Sequence, residues 1–314
     1  MKRLLILLIF CLILPMSYAE TVIDHVPYEI NSPGTYVLNS DLSGGGISIY
    51  SDNVVLDGRG HKLTNGWITV WDSKDVSIMN IDVINSNNTI YALYMTDCKN
   101  CQVSNVVIDN ASKQSGLLLE GCENCNISKI TSKNNRYGIN IKYSRNITVS
   151  DIIANNNGHC GVRLDGSDYC TFNSITASGN KYKGIVEEFS DYNTFSNIIA
   201  ENNGKYGIYL SSSDYNTFNG LKTFGNGIYG VKIVNSKNNT FYNWQIPEGW
   251  DNCGNINNSG YNGNIFYNSS SGNSTEGNES SSEVSSGNTN KNTNPITSNN
   301  YCPINTNNCI KEDK

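Results

Sequence analysis

From about residue 50 to residue 268 the chain alternates short apolar and polar runs with clusters of Asn, Gly and Asp, and no stretch has helical periodicity. The runs repeat. Gly138, Gly161, Gly184, Gly207 and Gly230 fall 23 residues apart, each opening a segment such as Gly207-Ile208-Tyr209-Leu210. Six residues later come Ser144, Ser167, Ser190, Ser213 and Ser236. Between Ser167 and Phe218 the hexapeptide Ser-Asp-Tyr-(Cys/Asn)-Thr-Phe occurs three times, and weaker copies run back through Cys122, Cys98, Ser73 and Ser51. A unit this short cannot bury its apolar side alone, but stacked copies can. The pattern predicts an all-β, single-stranded right-handed parallel β-helix of about nine to ten coils of roughly 23 residues.

Alignment of the copies gives the inward columns. One is Val106, Ile130, Ile152, Ile175, Ile198, Leu221 and Trp244; two residues later lie Ile108, Ser132, Ala154, Ala177, Ala200 and Thr223. Large stacks on large and small on small, as in-register coils require. A third column holds Val76, Cys101, Cys125, Ile147, Cys170, Asn193, Asn216, Asn239 and Asn264. Buried Asn is costly unless its amide is paired, so stacked Asn side chains are expected to satisfy one another along the axis as a structural ladder. A leucine-rich repeat would need a fixed Leu-x-x-Leu-x-Leu spacing, which the chain lacks.

The ends read differently. Lys2-Arg3, the apolar run Leu4 to Leu14 and the small residues Ser17 and Ala19 predict a signal peptide over 1–19, too short to span a bilayer comfortably. Residues 20–45 read as an N-terminal cap, 46–268 as the β-helix, 269–300 as a disordered Ser/Asn/Gly-rich stalk and 301–314 as a Cys-containing tail. The expected location is therefore secreted or on the cell surface, without membrane insertion of the mature chain. Removing Lys2 and Arg3 leaves 20 basic against 28 acidic residues, a net −8, which argues against nucleic acid as a partner. Sequons begin at Asn87, Asn110, Asn126, Asn146, Asn238, Asn257, Asn268, Asn273 and Asn278, and any glycosylated ones mark solvent-facing turns.

Ile30-Asn31-Ser32-Pro33-Gly34-Thr35-Tyr36-Val37-Leu38, followed by Asn53-Val54-Val55-Leu56-Asp57-Gly58-Arg59-Gly60-His61, resembles the opening coil of NosD-like β-helix proteins. That resemblance covers roughly Ile30 to Asn268. It implies an exported protein, of a type common on archaeal cell surfaces and distantly related to pectate-lyase-type sugar enzymes. Function on such a scaffold lives in local sites.

Cys98-x-x-Cys101 and Cys122-x-x-Cys125 have the look of a zinc site, yet they lie one coil apart, so Cys98 sits over Cys122 and Cys101 over Cys125. Three readings follow: buried thiols filling small inward slots, disulfides between coils, or a metal site. Copper is the metal the NosD resemblance implies, and thiolates favour Cu(I). Nine mature cysteines cannot all pair.

Asp168, Asp191 and Asp214 form an outward column, with Tyr169, Tyr192 and Tyr215 beside it. Each Asp is expected to accept turn N–H groups of its own coil, or the three to hold Ca²⁺ between rungs. The tyrosines read either as ordinary stacking residues or as a platform for sugar rings.

Glu187 occupies the inward slot held elsewhere by Ile141, Leu164, Leu210 and Ile233. A buried carboxyl there, with Arg163, Asp165, Glu188 and Tyr209 nearby, has the makings of a lyase, hydrolase or epimerase site. The expectation preferred here is a local bulge that turns Glu187 to solvent. No pectin-hydrolase or epimerase motif, phosphate loop or His cluster accompanies it. The leading expectation is a non-catalytic protein binding a polysaccharide or cell-envelope component; the rivals are a polysaccharide-active enzyme and an extracellular copper handler.

Overall fold

A computed structural model describes residues 19–85, 91–244, 256–258 and 264–268. The expected leader apart from Ala19, the stalk and the tail, and Asn87, Asn273 and Asn278, lie outside the described residues. So do the side chains of Asn257 and Asn268, whose backbones are in strands.

The strands stack as a solenoid of about nine turns, every pairing parallel. One sheet has fourteen strands, running from Thr21–Ile23 to Ile265–Asn268; the other has eleven, from Tyr28–Ile30 to Ile256–Asn258. Among the described residues no helix is long and apolar enough to cross a membrane. The segment expected as a cap contributes rungs itself: Thr21–Ile23 pairs with Gly34–Leu38, and Tyr28–Ile30 with Ile47–Ile49.

The core follows the columns read from the repeat. Ile152, Ile175, Ile198 and Leu221 are in register and buried. Beside them Phe172, Phe195, Phe218 and Phe241 form a stack with centroids 4.6, 4.6 and 4.7 Å apart. Each buried ring contributes roughly 1.5–3 kcal/mol by leaving water. The glycine period has a steric cause. A Cβ on Gly184 would stand 2.6 Å from the Gly207 carbonyl oxygen, and one on Gly207 would stand 2.6 Å from that of Gly230. Adjacent coils touch backbone to backbone there, so a methyl group has no room.

The Asn ladder is buried as expected, but its bonding differs. Asn193, Asn216 and Asn239 Oδ1 accept the backbone N–H of Cys170, Asn193 and Asn216 at 2.7–2.8 Å, while their Nδ2 groups donate to the Ser167, Ser190 and Ser213 carbonyls. Asn264 closes the series on Asn239. The amides mainly satisfy turn backbone in the preceding coil rather than one another, because the inward turn leaves those groups no strand partner. A second buried ladder, Asn135, Asn157, Asn180, Asn203 and Asn226, does the same at another turn and adds amide-to-amide bonds of 3.0–3.1 Å.

Candidate functional site

The turns joining the eleven-stranded sheet to the fourteen-stranded one carry the most distinctive surface. Their second left-handed position is Asn in several coils: Asn100, Asn124, Asn146 and Asn238 have φ of 54–56°. In three successive coils it is Tyr169, Tyr192 and Tyr215, with φ of 56°, 58° and 59°. The first left-handed position of the same turns holds Tyr143 and Phe189. All five aromatics are exposed, from 44% for Tyr169 to 68% for Phe189.

Tyr169, Tyr192 and Tyr215 stack with centroids 5.1 and 5.0 Å apart and planes within 6°, and the Arg145 guanidinium lies 4.5 Å over Tyr169. A left-handed backbone costs an ordinary side chain about 1–2 kcal/mol. The two ring contacts return about 0.5–1.5 kcal/mol each. Three strained tyrosines are therefore not explained by their mutual stacking. None of the three hydroxyls is bonded to a described residue. The stack also corrects the flat-platform expectation: each ring covers part of its neighbour's face, so the edge presents ring edges, partly covered faces and unbonded hydroxyls.

The carboxylates lie alongside. Asp168 Oδ1 accepts the N–H of Asp191 at 2.8 Å, Asp191 Oδ1 that of Asp214 at 2.6 Å, and Asp214 Oδ1 that of Lys237 at 2.7 Å. The caps run between coils, not within one as expected, because strand pairing brings each N–H directly over the Asp below. Burial, then the neighbouring Asp168 and Asp214 charges, raise Asp191. The second oxygen of each carboxylate bonds to no described residue. Among the described residues no group of three or more Cys, His, Asp or Glu is arranged to hold a metal ion.

Cys98, Cys101, Cys122 and Cys125 are free, buried thiols inside the core. Cys98 Sγ reaches the Val70 carbonyl of the preceding coil at 3.7 Å, and Cys122 Sγ that of Met95 at 3.5 Å. Cys98 and Cys101 also reach the Thr96 and Lys99 carbonyls at 3.2 and 3.3 Å. The inward turn slot is small, which is why Ser takes it elsewhere.

Glu187 overturns the bulge expectation. Its strand, Lys183–Glu188, stays in register with Cys160–Asp165, placing Glu187 over Leu164, fully buried. Oε1 accepts a 2.8 Å bond from Asn193 Nδ2, and Oε2 is unpartnered. Burial raises its pKa well above the usual carboxylate range, with smaller contributions from Asp191 and Asp168, which favours the protonated form. Strand alternation puts Arg163, Asp165 and Glu188 on the opposite, outer side of the wall. There Arg163 bridges Asp165 Oδ2 at 3.0 Å and Glu188 Oε2 at 2.7 Å. The expected acidic group is thus split: three members meet outside and Glu187 is sealed inside.

The same outer face holds residues the repeat did not single out. His159 lies between Tyr137 and Tyr182, at 5.0 and 5.2 Å, and Tyr206 stacks near Tyr209 and Tyr229. Lys183 Nζ sits 3.6 Å from the Tyr209 centroid. Tyrosine recurring at 23-residue spacing in Tyr206 and Tyr229 was the available signal.

Residues 91–246 match the family model described as the right-handed beta helix region. The fold is a right-handed parallel β-helix. Among solved structures, this β-helix is similar to the Dettilon tailspike protein gp208, with 15% identity, TM-score 0.57 and 80% of this chain covered. It spans 59% of that tailspike chain. The A-module of the Azotobacter vinelandii mannuronan C-5 epimerase AlgE4 is also similar, with 12% identity, TM-score 0.51 and coverage of 80% and 85%. No curated protein matches the β-helix sequence.

Proposed function

We propose that the protein is an exported polysaccharide-binding β-helix whose binding edge is the aromatic turn column Tyr143, Tyr169, Phe189, Tyr192 and Tyr215. One observation carries this reading: tyrosine occupies a strained left-handed position in three successive coils, half-exposed, at a cost its stacking does not offset. Unbonded phenol and Asp oxygens alternate along it, one set per rung. Apolar ring edges suit the CH faces of sugars, and the oxygens suit their hydroxyls. The mannuronan epimerase and the tailspike share the scaffold, and the former is named for a polysaccharide. Export rests on the leader-like residues 1–19, and a cell-surface setting on the resemblance to NosD-like proteins.

Affinity electrophoresis of the protein through gels containing cell-envelope polysaccharides tests the proposal. Retardation by at least one polymer, abolished by Tyr192→Ala, supports it. Unchanged migration in every polymer contradicts it.

A further inference from the structure

At the opposite edge of the eleven-stranded sheet the chemistry inverts. Lys183 and Glu188 are the two ends of a six-residue strand, so their backbones lie about 16–17 Å apart along the sheet. On the lysine side, Lys183 Nζ stands 3.6 Å from the Tyr209 ring centre, while Lys181 and Lys205 reach to 5.5 and 5.8 Å from that of Tyr182. Lys232 lies 5.4 Å from the Tyr206 centroid and 5.8 Å from that of Tyr229. Among the described residues, Lys181, Lys183 and Lys205 make no ion pair. The contrast with Arg163 is direct, since two carboxylates neutralise that cation.

Three cations over tyrosines, none of them in an ion pair and with the Glu188 charge acting on Lys183 only from beyond pairing distance, form an anion-selective aromatic surface on a chain whose net charge is −6. Burial lowers the Lys183 pKa, which marks a partly dehydrated ammonium group. A cation in that state gains most from a ligand that brings its own negative charge. The tyrosine rings supply apolar area beside the charges. The Asp168–Asp191–Asp214 edge has the opposite preference, because a carboxylated sugar there would meet like charge.

We infer that the Lys181–Lys183–Lys205 patch, with Tyr182 and Tyr209, is a subsite for anionic sugars, so that the polymer recognised is an acidic heteropolysaccharide. Its neutral residues lie on the tyrosine-aspartate edge and its charged residues on the lysine edge. This inference rests on the polysaccharide reading above. Carboxylate and sulfate esters share the chemistry the patch reads.

The test titrates wild type, Lys183→Gln, the double variant Lys183→Gln/Lys205→Gln and Tyr192→Ala with three probes: an oligogalacturonate, a sulfated dextran oligomer and a neutral mannan oligomer. Wild type is expected to bind at least one anionic probe, with affinity falling as salt rises. Lys183→Gln is expected to weaken that binding about tenfold, which corresponds to 1.4 kcal/mol, and to leave the neutral probe unchanged. Loss for galacturonate alone identifies the carboxylate, and loss for dextran sulfate alone identifies the sulfate ester. Anionic binding that is unchanged in both lysine variants overturns the inference, as does binding of the neutral probe only. In both cases the polysaccharide reading stands if Tyr192→Ala still weakens binding. If no probe binds, the inference is overturned together with the reading. Unaltered thermal unfolding of Lys183→Gln shows that the patch, not the fold, was changed.

Discussion

Asn193 Nδ2 donates a 2.8 Å hydrogen bond to Glu187 Oε1 in a space closed to solvent, where the adjacent coils place Leu164 and Leu210. Burial raises the pKa of the carboxyl and so favours its neutral form, and its second oxygen has no partner. Glu187→Leu should therefore stabilise the protein by about 1–3 kcal/mol, the cost of an unsatisfied buried polar group. Equilibrium denaturation measures it, and a clear loss of stability would contradict the account.

The same group sets a pH dependence. Its folded pKa is raised above the unfolded value, so between the two the native state holds a proton that the unfolded chain has released. This contribution is complete below the unfolded pKa and declines as pH rises towards the folded one, by about 1.4 kcal/mol per unit. The difference in stability between Glu187→Leu and wild type should grow from pH 4 to pH 7. A difference independent of pH would mean that Glu187 is not buried.

The Asn ladder predicts a local cost. Asn216→Ala removes the acceptor of the Asn193 N–H and the donor to the Ser190 carbonyl. Orphaning such groups costs about 1–3 kcal/mol each before any relaxation. Asn203→Ala in the second ladder strips the Asn180 N–H and the Ala177 carbonyl in the same way. Thermal unfolding should show both variants destabilised; wild-type midpoints would contradict the bonding described.

Burial pushes the Cys160 and Cys170 thiols up to about 12. Neither should react with iodoacetamide at pH 8 until the protein unfolds. Mass spectrometry of native and denatured samples decides this, and modification of the native protein at these positions would contradict the described core.

Much of the fold was legible because a solenoid repeats its constraints every coil. The spacing from Gly138 to Gly230, the Ile152–Leu221 column and the Asn193–Asn264 column each state the same geometry several times. Glu187 was not legible in this way. Its slot pointed inward, but the cost of a buried carboxyl argued for a bulge. What the sequence did not display was the Asn193 amide that bonds the inward carboxyl and the upward shift in pKa that burial imposes on it. The second ladder, Asn135 to Asn226, was hidden by the abundance of Asn in every turn. The tyrosine column was legible as a stripe, but not the left-handed backbone that makes it costly. The lysine patch involves residues from different coil positions, which a column alignment does not bring together.

The tyrosine edge is proposed to hold a polysaccharide. Tyr192 lies between Tyr169 and Tyr215, where truncation removes contacts on both sides. The most direct measurement is calorimetric titration of a retained polysaccharide into wild type, Tyr192→Ala, Glu187→Gln and Tyr242→Ala, the last an exposed tyrosine on the other sheet. The account predicts about a tenfold or greater loss of affinity for Tyr192→Ala, equivalent to 1.4 kcal/mol or more, with Glu187→Gln and Tyr242→Ala binding as wild type does. Wild-type affinity in Tyr192→Ala, or binding lost in Glu187→Gln with its fold intact, would contradict it.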